Sequence, residues 1–251
     1  MVRIVLDNVS VGFPIYSGTN RSLRHIVMKA TTGGRIGADA SGRVYVEALS
    51  GISCVMERGD RVALIGHNGA GKTTLLRVLA GIYEPVSGTV QINGKVVPLF
   101  DVNLGMSPDA TGYENIRIRA LYLGISDREL AEKMDDIAEF TELGDFLNMP
   151  LRTYSMGMHA RLAFAISTAI NPEILLVDEG IGAGDAAFID KANARLADFI
   201  SRSGILVLST HAVDLVNRLC NKAIVMEKGR IIFAGDVPDA LEFYRQPRLT
   251  A

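Results

Sequence analysis

Apolar and polar positions alternate from Arg3 to Val9, a period of two that predicts an edge strand. The stretch from Gly12 to Gly42 loses that order. It contains Gly33-Gly34 and the cations Arg21, Arg24, Lys29 and Arg35, which fit either a solvated insertion loop or a contact with acidic headgroups or a partner. Val44 to Val46 resumes a strand and Gly51 to Met56 continues it. Val62-Ala63-Leu64-Ile65 is a continuous apolar run and predicts a buried strand. Leu75 to Ala80 reads as helix, stopped by Gly81 as a C-terminal cap. Thr89-Val90-Gln91-Ile92 and Val96-Val97-Pro98-Leu99 flank Asn93-Gly94, which predicts a tight hairpin. Tyr113 to about Phe146 is mostly helical, with Asp127 capping Arg128 to Phe140. Ser155 to Ile170 forms another helix, with Pro172 beyond its end. Strand and helix then alternate: Ile174–Val177, Ala187–Ile200, Ile205–Leu208, Val213–Leu219, Ala223–Met226 and Ile231–Phe233. Such alternation predicts an α/β fold with a mostly parallel sheet covered by helices.

Composition narrows the picture. The 251 residues suffice for one large α/β domain, and 48% hydrophobic residues argue against disorder. A net charge of −2 gives no electrostatic support for a nucleic-acid partner. Cys54 and Cys220 share no motif spacing and read as reduced thiols. The first residues carry no leader-like apolar region, and no run of about 18 apolar residues predicts a membrane span.

Gly66-His67-Asn68-Gly69-Ala70-Gly71-Lys72-Thr73-Thr74 satisfies G-x-x-x-x-G-K-[ST] between a predicted strand and a predicted helix. Glycines let backbone N–H groups close around phosphate oxygens, and the helix adds its positive end. Lys72 supplies a point charge for the outer phosphates, and the Thr73 hydroxyl is placed for Mg²⁺. Ile174–Glu179 is an apolar strand ending in two carboxylates. Strand C-termini carry the ligand site in open α/β sheets. Asp178 is therefore the candidate for Mg²⁺, and Glu179 for orienting and deprotonating a water. Ile205–His211 ends a second apolar strand in Ser209, Thr210 and His211, with His211 placed for the terminal phosphate.

Two further segments join the set. Tyr154-Ser155-Met156-Gly157-Met158 leads into His159-Ala160-Arg161-Leu162-Ala163-Phe164-Ala165, and Asp185 closes Gly182-Ala183-Gly184-Asp185. The order of these motifs resembles the nucleotide-binding subunits of ABC transporters over nearly the whole chain. In that likeness Gly66–Thr74 is the Walker A loop, Ile174–Glu179 the Walker B strand, and Tyr154–Met158 the signature. Asp185 is the D-loop aspartate and His211 the switch histidine. The Tyr-Ser-x-Gly-Met signature, the following Ala-Arg-Leu-Ala-Phe, the N-terminal insertion and Thr111-Gly112-Tyr113-Glu114-Asn115 are most similar to the polysaccharide-exporting branch.

The resemblance implies a RecA-like P-loop NTPase. Residues 1–251 would be a single ATPase domain with an antiparallel β subdomain, a core of residues 1–103 and 171–251, and an inserted helical subdomain of about 104–170. It implies ATP and Mg²⁺ as cofactors. It also implies a homodimer in which Lys72 of one chain and Ser155 and Gly157 of the other clamp one γ-phosphate. The expected partner is a polytopic transmembrane subunit that docks near Asp101 to Tyr113. The chain itself would be peripheral on the cytoplasmic face of the inner membrane, touching the membrane through that partner. With the chain ending soon after Tyr244, no polymer-binding domain is expected.

The sequence departs from the family at three places. Met156 stands where glycine is usual and Met158 where glutamine is usual. Gln91 and Gln246 are the chain's only glutamines, and neither suits the loop before the helical region, where Asp101 stands instead as a candidate for metal or water. Tyr45 is the expected platform for adenine, with Tyr16 the alternative. A soluble ABC ATPase acting on ribosomes or DNA would show two cassettes or a coiled-coil insertion, and neither is present. Asn221-Lys222-Ala223-Ile224 lacks the aspartate of a guanine-reading motif.

Overall fold

A computed structural model describes residues 1–14, 35–38, 44–100, 105–178 and 186–246. Two compact units emerge: Met1–Gly94 with Leu176–Glu179 and Gly204–Ala251, and Lys95–Leu175 with Gly180–Ser203.

The first unit holds an antiparallel sheet. Strands β1 (Arg3–Pro14), β2 (Arg35–Ala38), β3 (Val44–Glu57) and β5 (Ser87–Asn93) lie in the order β2-β3-β1-β5. β1 buries Ile4 and Leu6 and then Val9 and Val11, the alternation being shifted by one residue at an irregularity around Asn8, which has positive φ. β1 is an interior strand, not an edge: Ile4 pairs with Met56 on one side and Ile92 on the other. β3 is continuous through the region that sequence reading splits.

The second sheet of this unit is built on β4 (Arg61–Ile65), which pairs in parallel with β8 (Ile205–Ser209) and β9 (Lys222–Glu227). Val62 to Ile65 are all buried, as a strand flanked on both sides and covered on both faces requires. β7 (Ile174–Val177) follows β8 in the order, and β10 (Arg230–Asp236) closes the other end by pairing antiparallel to β9. The tight hairpin sits here. Glu227 pairs with Arg230 across Lys228-Gly229, both of which have positive φ, the geometry that matches strand twist. Asn93-Gly94 makes no such turn. β5 pairs with β1, and the next strand, β6 (Val96–Pro98), belongs to another sheet. The helices α1 (Lys72–Leu79), α6 (Val213–Leu219) and α7 (Val237–Arg245) complete this unit, with Pro238 in the first turn of α7.

The second unit is helical. Helices α2 (Gly112–Tyr122), α3 (Asp127–Thr141), α4 (Met156–Thr168) and α5 (Ala186–Arg202) bury Ile116, Ile137, Phe140, Leu162, Ile166 and Phe188 in one core. Ser126, not Asp127, caps α3: its side chain accepts from the Glu129 N–H. The hydroxyl one residue earlier has the extended backbone that a cap needs.

Thr111-Gly112-Tyr113-Glu114-Asn115 acts as a bracket. Thr111 caps α2 in a full capping box with Glu114. Those hydrogen bonds from Thr111 hold the Glu114 carboxyl below its usual range. The Asn115 side chain is fully buried, accepts from Ser107 N–H at 2.7 Å and donates to the carbonyls of Ser107, Ala110 and Thr111. The loop so held pairs with residues 149–152: Leu151 N–H donates to the Ala110 carbonyl and Arg152 N–H to that of Pro108. The Tyr154 hydroxyl donates to the Phe146 carbonyl at 2.6 Å, and a side chain at Gly112 would meet that hydroxyl. The bracket thus fixes the entry to α4.

Replacing Asn115 by alanine strands several buried backbone groups. The expected loss is about 2 kcal/mol or more, read as a lower urea midpoint at unchanged m-value. Burial pushes the Cys54 thiol up to about 11 and that of Cys220 up to about 12, the latter against a small opposing effect of Arg61. Both thiols are therefore neutral at pH 8. Iodoacetamide should label them slowly in the folded protein and rapidly in urea; fast labelling of native protein would contradict this burial.

Candidate functional site

In the first unit, β4 runs into Gly66–Gly71 and then α1, the strand-loop-helix that the motif requires. Gly71 is the N-cap of α1, with a left-handed backbone and no side-chain cap. The first amides of the helix are therefore left for an anion. A side chain at Gly71 would crowd the Leu49 side chain and the Ala48 carbonyl. The loop is also tied from behind, where Gly229 N–H donates to the Ala70 carbonyl at 3.0 Å and Ser50 N–H to that of Gly229 at 2.8 Å. The β9–β10 turn and β3 thus hold the loop's shape.

Lys72 is buried, and its Nζ donates to the Gly66 carbonyl at 2.5 Å and that of His67 at 3.2 Å. Backbone dipoles partly neutralise the ammonium while it lies across the loop. Thr73 Oγ1 donates to Asp178 Oδ2 at 2.7 Å. These two oxygens meet at one point and are the hard donors that Mg²⁺ prefers, so they fit that ion. His211 Nε2 stands 3.2 Å from Asn68 Oδ1. A cavity of about 440 Å³ is lined by Val46, Ala48, Asn68 to Thr74, Asp178, Ser209 and His211.

Most of the predicted phosphate-side residues therefore line one cavity. Gly66 contributes its carbonyl to Lys72 rather than lining it. Tyr45 requires a correction. It is not among the lining residues, and its ring lies against Gly12, where an added Cβ would be 2.9 Å from Tyr45 Cδ2. Strand alternation explains this: Val46 and Ala48 share the face toward the cavity, and Tyr45 has the other parity. A period-two reading of Val44–Glu57 finds Val46 and Ala48, which sequence reasoning missed. Ser209 stood in the noted hydroxyl pair and was not drawn into the site. Tyr16, Asp101, Glu179 and Asp185 lie outside the described residues.

Ser155 and Gly157 belong to the second unit. Ser155 is the N-cap of α4 and accepts from Met158 N–H at 3.2 Å. Its own O–H can still donate. Ser155, Gly157 and Met158 line a separate cavity of about 300 Å³ with Glu142, Leu143, Phe146 and Arg161. Met156 is 88% exposed at the helix start. Burial holds the His159 imidazole below its usual range, which keeps a second charge away from this end at neutral pH.

Comparisons with known proteins give the family. The family model described as ABC transporter matches residues 49–182. The chain is 47% identical over 231 residues to the O-antigen export system ATP-binding protein RfbE of Yersinia enterocolitica, covering 92% of this chain and 97% of the relative. It is 39% identical over 248 residues to O-antigen export system ATP-binding protein RfbB of Myxococcus xanthus, spanning 98% of this chain and 56% of that longer protein. Its fold is similar to that of an ATP-binding cassette solved as a dimer in a post-hydrolysis state with ADP and Pi: the TM-score is 0.65 at 20% identity, over 93% of this chain and 98% of the other. The phosphate loop, the carboxylate-tipped strand and the serine-capped helix lie on the α/β scaffold of a P-loop NTPase, and the chain belongs to the ABC transporter family.

Proposed function

We propose that this chain is the ATP-hydrolysing subunit that powers export of a lipid-linked polysaccharide through a separate transmembrane partner. The observation that carries the energetic half is the cavity where Lys72, the Thr73–Asp178 pair and His211 converge around the loop amides. The transport half rests on the likeness to O-antigen export subunits.

The chemistry follows from the residues. Amides from Gly69 to Thr74 receive the phosphates, and Lys72 turns from the Gly66 and His67 carbonyls toward the outer oxygens. Val46 and Ala48 give the cavity its apolar side, suited to the base, in place of the Tyr45 ring. Thr73 and Asp178, with Asp101 as a further candidate, would hold Mg²⁺, which would supply charge neutralisation for phosphoryl transfer. Glu179 orients and deprotonates the attacking water. His211 exchanges its Asn68 contact for the terminal phosphate.

The site is completed by a second copy. Ser155 and Gly157 of one chain present an anion-receiving helix start, and Lys72 of the other presents the cradle. Asp185 follows both in sequence and is assigned to the same two-chain site. Two composite sites then form a two-fold dimer that closes on ATP and opens after hydrolysis. Among the described residues no helix is long and apolar enough to cross a membrane. The transmembrane path is assigned to the partner, which holds the chain at the cytoplasmic face of the inner membrane.

Lys72→Ala removes the charge that meets the outer phosphates. It is expected to weaken ATP binding by about tenfold or more, measured with a fluorescent ATP analogue; unchanged affinity would remove the phosphate-loop assignment. Glu179→Gln should keep ATP affinity and abolish turnover, so that ATP shifts the variant to a dimer in size-exclusion chromatography. Normal hydrolysis by that variant would overturn the role given to Glu179.

A further inference from the structure

The second unit holds a group that the proposed chemistry does not use. Arg161 lies one turn beyond Met158, whose N–H completes the Ser155 cap. Its guanidinium carbon sits 4.6 Å from the centre of the Phe188 ring, and its Nη1 is 3.7 Å from Glu142 Oε2. The Arg161 side chain is only 16% exposed and Phe188 is buried, so the ring contact is poorly solvated, while the Glu142 carboxylate stays half-exposed and its ion pair is the weaker of the two. Glu142 is the left-handed C-cap of α3, and its other oxygen takes Lys191 of α5 at 2.7 Å. Phe188 is fully buried and meets Phe140 edge-on at 5.4 Å.

The position of these contacts along the chain matters more than their number. Phe188 is three residues after Asp185 and lies in the first turn of α5. Arg161 also lines the cavity that Ser155 and Gly157 share. One side chain therefore ties the serine-capped end of α4 to the first turn of the helix that follows Glu179 and Asp185. A guanidinium suits this task because its plane stacks on the ring while its edge meets the carboxylate; an ammonium makes only one of those contacts well.

Resting on the two-chain ATPase reading above, we infer that Arg161 is a positioning residue: it sets the spacing between the Ser155 helix start and the first turn of α5 at Phe188, so that the two reach a nucleotide bound by a second copy as one rigid body.

Hydrogen exchange on the full chain without nucleotide tests this directly. Arg161→Gln should speed exchange of amides 155–160 and of amides 186–191 together, by about tenfold for loss of one such pair of contacts. Arg161→Lys should lie between the two. Glu142→Gln, which loosens Lys191 as well as Arg161, should act in the same direction on amides 155–160. ATP-analogue affinity of the monomer should stay within about twofold. In the Glu179→Gln background, ATP-driven dimerisation should need about tenfold more protein. If amides 186–191 are unaffected, or if dimerisation matches the Glu179→Gln parent despite faster exchange, the inference is wrong. Should Arg161→Gln fail to fold, Glu142→Gln and Arg161→Lys carry the same comparison. A Glu179→Gln parent that never dimerises with ATP would instead count against the two-chain reading, and the exchange result would still decide whether Arg161 links the two segments.

Discussion

A lysine ammonium buried against backbone carbonyls is the interaction on which the rest of the site depends. Lys72 has left most of its water, and the Gly66 and His67 carbonyls offset that loss with partial charges. A triphosphate offers full charges at the same place. The loop therefore binds phosphate by exchanging one set of partners for a stronger one, with little rearrangement of backbone. For this to work the loop must not collapse onto its own lysine. Its carbonyl at Ala70 is held by Gly229, and its turn at Gly71 is packed against β3. The β9–β10 hairpin, far along the chain, thus belongs to the phosphate site as much as the motif does.

The helical unit solves a different problem. In the proposed two-chain site it presents the N-terminus of α4 to a second copy and must keep it aimed. The Thr111–Asn115 bracket anchors the loop that runs beside residues 149–152 and so delivers Tyr154 and Ser155 to the helix start. Arg161 and Glu142 hold the same helix from its other side. A helix start left exposed to receive an anion gains nothing from that exposure alone, and its support comes from buried contacts one or two turns away.

Much of this was legible in the residues. The phosphate loop, Asp178 after Ile174–Val177 and the histidine after Ile205–Leu208 were readable because each ends a run of buried β residues, and strand ends place side chains predictably. Val213–Leu219 was recovered with its boundaries. Other features turned on facts that local pattern does not carry. Asn93-Gly94 has the composition of a hairpin, but β5 finds its partner in β1, a tertiary choice. Lys228-Gly229 makes the turn instead, because the strands on both sides of it pair with each other. Tyr45 was the attractive aromatic near the loop, yet strand parity turns its ring to Gly12. The bracket around Asn115 could be quoted as a motif, while its physical purpose needed the hydrogen bonds.

The central claim is that one triphosphate is gripped by two chains, each supplying half of the charge complement. A structure of the Glu179→Gln protein loaded with ATP and Mg²⁺ measures this most directly. The account predicts Lys72 Nζ withdrawn from the Gly66 carbonyl onto the outer phosphates, with Ser155 Oγ of a second copy on the same γ-phosphate. Nucleotide bound at Lys72 while every Ser155 faces solvent would contradict it.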